Sequence, residues 1–170
     1  MKNIFVLSAL GFSCGLPYML VFSTLSAWLR DAGAALTVIG FISWAALTYS
    51  LKFLWSPFVD RIKMPLNQVV GQRRSWILMM QLLILILIMM MSQFDPISSL
   101  NFIVITAVLI AFFGSLQDIA VDAYRIELVS LDEQGNLAAS YQFGYRLSIL
   151  VATSLALIFA DFVSCKTVYL

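Results

Sequence analysis

The chain has 170 residues, 62% of them hydrophobic and only 11% charged, with a mean hydropathy of +0.96. A soluble domain is nearer half apolar and a quarter charged, so this is the composition of an integral membrane protein. A net charge of +1 gives no basic signature for nucleic acid, and the absence of histidine rules out a zincin motif or a Ser-His-Asp triad. Cys14 and Cys165 form no CxxC pair, so metal and redox chemistry have weak support.

A bilayer span needs about 20 apolar residues. By that measure the chain is all-α, with about five transmembrane helices. The first is expected over residues 4–29. Its start, "MKNIFVLSALGFSCG", has a faint likeness to a lipoprotein signal, but the apolar run continues past Cys14 and is too long for a signal core. Gly11 and Gly15 form a GxxxG pair that lets helix backbones approach, and Pro17 removes a backbone hydrogen bond and predicts a bend. The second span is expected over residues 38–59 and carries Lys52. The loop 60–75, "DRIKMPLNQVVGQRRS", is the one long connection. The third span, 76–93, contains "LLILILIMMM", which reads as a plain lipid-facing surface. The fourth, 99–124, runs into "SLQDIAVDAYRIE", which brings Asp118 and Asp122 into an apolar helix. The fifth, 137–161, carries Arg146.

Basic residues set the orientation. Arg61, Lys63, Arg73 and Arg74 share the 60–75 loop, with Lys2 and Arg125 on the same side; only Arg30 and Lys166 lie opposite. The N-terminus and this loop are therefore expected in the cytoplasm, and the C-terminus in the periplasm.

Four charges fall inside the spans. From the helical rise, Lys52, Asp118 and Arg146 share one membrane level, about 4–10 Å to the cytoplasmic side of their helix centres, and Asp122 lies about one turn further out. An unpaired charge there costs at least about 2.5–3.5 kcal/mol, so such groups face the bundle interior and pair, or line water. Ala111, Gly114 or Ser115, Asp118, Asp122 and Arg125 recur at helical spacing, a small-then-charged face suited to an interior cavity. The cluster reads either as a structural ion-pair set that fixes helix register or as a substrate or proton path, and the sequence leaves both open.

"WSPFVDR" followed by "GQRRSW" resembles the loop signature of the major facilitator superfamily. More narrowly, "LGFSCGLPYMLVFSTLSAWL", "KFLWSPFVDR", "SLQDIAVDAYRIE" and "GYRLSILVATSLALIFAD" resemble, in order, the AmpG-like muropeptide permeases of bacterial inner membranes. Two positions depart from the signature: Ser56 stands where the general motif has glycine, and Gln72 interrupts the run of arginines. The resemblance implies most of the N-terminal six-helix half of a facilitator transporter, importing anhydromuropeptides (GlcNAc-anhydroMurNAc with or without peptide) on the proton gradient, with no bound cofactor. It implies that Asp60, Arg61, Gly71, Arg73, Arg74 and Arg125 serve as a cytoplasmic gating latch. It makes Asp118, Asp122, Lys52, Arg146 and Gln117 the substrate or proton pathway.

A facilitator transporter has about twelve helices in two halves, with its site between them. The expected chain stops short of that. Two readings follow: a transporter in truncated form, or a non-transporting remnant or split-gene half that needs a separately encoded C-terminal partner. An enzyme is not expected, because an intramembrane aspartyl protease holds its aspartates on two helices and Asp118 and Asp122 lie on one. The expected partners are the lipid bilayer and a small glycopeptide, not nucleic acid.

Overall fold

A computed structural model describes residues 2–95, 98–155 and 158. The described residues are almost wholly helical. The first span is one continuous rod in three parts: α1 (Lys2–Met19), a π-helical turn (Leu20–Thr24) and α2 (Leu25–Asp31). Pro17 lies inside α1 and supplies no N–H to the carbonyl four residues back. The span is not broken at the expected bend, and the π turn follows three residues after the proline. Gly33, with φ +85°, closes the C-terminal end of α2 and turns the chain back.

The second span is broken. It consists of α3 (Leu36–Ser43), α4 (Ala46–Ser50) and α5 (Lys52–Arg61), and the axis bends by 52° at the break before Lys52. The 60–75 loop holds a short helix, α6 (Asn67–Val70), and ends at Gly71, whose φ of +90° starts α7 (Gln72–Gln93). α8 (Leu100–Leu128) is the longest helix, and α9 (Gln134–Leu150) continues into a second π turn, Val151–Leu155. Three of these units are long and apolar enough to cross a membrane, with the bent α3–α5 pair as a fourth. The fifth expected span, 137–161, begins in α9, and most of its last turns lie outside the described residues, as do Cys165 and Lys166.

The GxxxG pair is where α1 meets α9. A Cβ at Gly11 would strike the Tyr141 carbonyl, one at Gly15 the Ser148 hydroxyl, and one at Gly144 the Ser8 carbonyl. The backbones approach so closely that hydroxyls bond carbonyls across the seam: Ser8 Oγ donates to Ser140 O (3.0 Å), and Thr24 Oγ1 to Ala152 O (2.9 Å). The Thr24 bond ties the two π turns together.

Two apolar clusters fill the bundle. One gathers Val21, Leu25, Leu29, Ile42, Met91, Ile103 and Ile110 at one end. The other gathers Cys14, Val59, Trp76, Met80, Ala120, Val121 and Tyr141 at the other. α7 presents Leu82, Leu85, Ile86, Met89 and Met90 outward, as the lipid-facing reading requires, but turns Ile84 and Met91 into the core. The run that looks uniform in sequence therefore has a buried stripe, because a helix surrounded on one side must bury some of its residues.

Candidate functional site

The break at Leu51 makes Lys52 the first residue of α5. A cation at a helix N-terminus is opposed by the helix dipole, so it needs anions nearby. α8 supplies two. Lys52 Nζ lies 2.7 Å from Asp118 Oδ2 and 3.2 Å from Asp122 Oδ2. The other Asp118 oxygen, Oδ1, accepts a 2.5 Å hydrogen bond from the Tyr141 hydroxyl on α9. The other Asp122 oxygen, Oδ1, lies 3.5 Å from Arg125 Nη2, one turn on along α8. Arg125 in turn stands 5.9 Å over the Tyr141 ring. Two cations and two anions thus close a ring of charge across α5, α8 and α9. Asp118 is the most enclosed, its side chain 17% exposed against 36% for Asp122 and 39% for Lys52.

The cluster's second cation is Arg125 and not Arg146. Of the two cations at the depth of Asp118, Lys52 is the one that meets it, and Arg125, grouped with the latch, pairs with Asp122 at i+3. Arg146 lies on an exposed face of α9 and has no ion pair among the described residues. The reason is angular. α9 turns Tyr141, Gly144 and Ser148 inward, and five residues on from Tyr141 is about 140° around the helix. Shared depth does not give a shared face. Gln117 bonds α1 and none of the charged side chains. It is 1% exposed and donates to Ser13 Oγ (3.0 Å) and Cys14 Sγ (3.5 Å) on α1, while Gln81 of α7 donates to the same Ser13 oxygen (2.7 Å). It joins α1 to α8.

A second charged set lies at the loop end. Gly71 starts α7 so that Arg73 follows at once. Arg73 Nη1 meets Asp60 Oδ1 at 2.5 Å and its Nε meets Glu127 Oε1 at 2.9 Å, joining the end of α5 to the end of α8 through the start of α7. Arg74 donates to the Tyr124 hydroxyl (3.3 Å) and stacks over its ring at 5.5 Å. Gln72 donates to the Ile62 carbonyl (2.5 Å), and Trp76 Nε1 to the same oxygen (3.2 Å), which pins the loop to α7. Arg61 is exposed and pairs with no acidic residue among the described residues. A groove of about 330 Å³ between α5 and α8 connects the two charged sets, lined by Lys52, Ser56, Asp60, Arg73, Asp122 and Ile126 among others.

Sequence reasoning missed Tyr141, Glu127 and Tyr124. Tyr141 had a signal: with Gly144, Tyr145 and Ser148 it forms a small-and-aromatic stripe at helical spacing. Glu127 lies just beyond the expected end of the fourth span, where nothing in the sequence marks it as a partner of Arg73.

The family described as Acetyl-coenzyme A transporter 1 matches residues 3–164. "Anhydromuropeptide permease" of Escherichia coli (strain K12) is 41% identical over 156 residues, 92% of this chain and 31% of its own length. "Putative transporter AmpG 4" of Rickettsia felis is 37% identical over 159 residues, 94% of this chain and 38% of its own length. A protein of Haemophilus influenzae of no stated function is 37% identical over 169 residues, 99% of this chain and 39% of its own length. The chain thus spans less than two fifths of the length of these relatives. The matches span nearly the whole chain, and the chain belongs to the acetyl-coenzyme A transporter 1 family of membrane transporters, as an AmpG-like member.

Proposed function

We propose that the chain forms part of an AmpG-type importer of anhydromuropeptides, driven by the proton gradient across a bacterial inner membrane. The observation that carries this is the ring of Lys52, Asp118, Asp122 and Arg125, capped by Tyr141, inside a chain of a transporter family. A carboxylate held between a lysine and a phenol inside a membrane bundle is bound to the position of those partners. Movement of α5 relative to α8 parts Lys52 from Asp118, so the pair ties the position of the helices to the charge carried in the bundle. Asp60, Arg73 and Glu127 hold the same two helices together at the cytoplasmic surface, so the latch and the ion ring act on one joint. The proposed topology puts the N-terminus and the 60–75 loop in the cytoplasm.

The relatives extend well beyond the matched region, and a second reading has the further spans supplied by a separate chain. Both are tested by uptake of labelled anhydromuropeptide into cells that lack their own permease. Accumulation that collapses with a protonophore is expected. Uptake only when a chain supplying the further spans is co-expressed supports the split-gene reading. No uptake in either case overturns the transport assignment.

A further inference from the structure

The 60–75 loop gathers Arg61, Lys63, Arg73 and Arg74 at one end of the bundle. Arg73 is neutralised by Asp60 and Glu127. Arg61, Lys63 and Arg74 are exposed and form no ion pair among the described residues. The same loop turns apolar side chains outward: Ile62 is 48%, Leu66 46% and Val69 83% exposed. Apolar and basic residues exposed side by side suit the boundary between water and lipid headgroups, and neither phase alone.

Arg74 differs from Arg61 and Lys63 in what lies beneath it. It stands two residues before the apolar run of α7 begins at Trp76. Its guanidinium stacks over the Tyr124 ring at 5.5 Å and donates to the Tyr124 hydroxyl at 3.3 Å, which fixes its plane and leaves its other N–H groups without an acceptor among the described residues. From there a groove of about 400 Å³ runs between α1 and α7, lined by Val6, Leu10, Val70 and Leu78. Gln81, which also lines it, is turned to Ser13. Leu78 is half exposed, so the groove opens outward, where the lipid lies. A fixed planar cation at the edge of the bilayer, with an apolar furrow below it, is complementary to a negative head joined to a hydrocarbon chain. The guanidinium fork matches the oxygens of a phosphate, and basic pockets between membrane helices take anionic headgroups. A free anion would leave the furrow unfilled, and a neutral lipid would leave the arginine without a counter-charge.

We propose that Arg74, Tyr124 and the groove between α1 and α7 form a binding site for one anionic phospholipid, with its phosphate on Arg74 and an acyl chain between Leu10 and Leu78. The inference goes beyond the transport reading and needs neither uptake nor a second chain. The test is native mass spectrometry of the full chain released from detergent micelles, with phosphatidylglycerol, phosphatidylcholine or glycerol phosphate added. One phosphatidylglycerol is expected to be retained well above phosphatidylcholine, and glycerol phosphate is expected not to displace it. Arg74→Gln is expected to weaken phosphatidylglycerol roughly five- to tenfold, the effect of losing one cation at the lipid surface. Leu78→Trp, which fills the groove and keeps the charge, is expected to weaken it by a similar factor. Arg61→Gln makes the same change of charge at a residue that does not line the groove, and is expected to weaken it less than about twofold. Equal losses in Arg61→Gln and Arg74→Gln would mean a diffuse basic surface and overturn the site. Equal retention of the two lipids, displacement by glycerol phosphate, or unchanged binding in Leu78→Trp would each overturn it as well. Detergent exposes both ends of the bundle, so the result does not depend on topology, and a failure here leaves the uptake experiment untouched.

Discussion

Lys52 is the residue on which the interior cluster depends, because it is the cation that touches both aspartates. Without it, Asp118 and Asp122 face one another one helical turn apart with only Arg125 near the second. Removing one partner of a buried pair costs about 3–5 kcal/mol, and the partial exposure of Lys52 reduces this. Lys52→Met is therefore expected to cost about 2–3 kcal/mol, read as lost folded yield or a lowered melting temperature. The double variant Lys52→Met with Asp118→Asn should recover much of that loss. Asp118→Asn alone should be worse than Asp122→Asn, whose carboxylate is more exposed and whose i,i+3 contact with Arg125 is worth about 1 kcal/mol or less. Arg146→Met should change stability by no more than about 0.5 kcal/mol, since no partner is lost. A double variant of Asp118 with Arg146 that recovers folding, when the one with Lys52 does not, would contradict the pairing.

At the scale of the element, the seam between α1 and α9 is set by absent side chains. Gly144 faces the Ser8 carbonyl so closely that even a methyl group forces the helices apart. Gly144→Ala is expected to destabilise by about 1–3 kcal/mol, the cost of overpacking. Gly40, in α3, has nothing within 4 Å of the place a Cβ would take. Gly40→Ala should then stabilise by up to about 1 kcal/mol through helix propensity alone. Thermal unfolding in detergent separates the two, and equal effects would mean that the seam is not as tight as the distances state. The opposed π turns, Leu20–Thr24 and Val151–Leu155, sit at the far end of the same seam, joined by Thr24 and the Ala152 carbonyl. A π turn frees a backbone carbonyl that the helix would otherwise use, and the threonine hydroxyl takes up this one.

For the molecule as a whole, the clamp of Asp60, Arg73 and Glu127 and the ion ring above it fasten the same helices at two depths. Asp60 and Glu127 are more than half exposed, so the clamp adds little to stability, about 0–1 kcal/mol. Its expected effect is on the balance between conformations. In a complete assembly, Asp60→Asn should change the transport rate and leave substrate affinity nearly unaltered; a loss confined to affinity would contradict the latch. Glu127→Gln should act in the same direction, since it releases the other arm of Arg73. The topology is tested separately. A reporter active only in the periplasm should be silent when fused after Met64 and active when fused after Lys166, and the reverse pattern would overturn the orientation.

Much of this was legible without coordinates, for a physical reason. A bilayer demands long apolar helices and penalises lone charges, so composition alone gave an all-α membrane bundle, and Lys52, Asp118 and Asp122 stood out against their surroundings. The i,i+3 contact between Asp122 and Arg125 follows from helix geometry and is local. GxxxG named the tight seam but not its partner. What needed the tertiary structure was every choice of face. Lys52 and Arg146 are equal candidates by depth, and only the rotation of α9 sends Arg146 outward and Tyr141 inward. The 52° bend at Leu51 has no proline or glycine at the break to announce it, yet it places Lys52 at a helix start beside two carboxylates. Charge and hydropathy are written along the chain and fix how deep a residue lies. Which neighbour it meets is decided by how helices turn and pack against one another, a property of pairs of segments that no single segment contains.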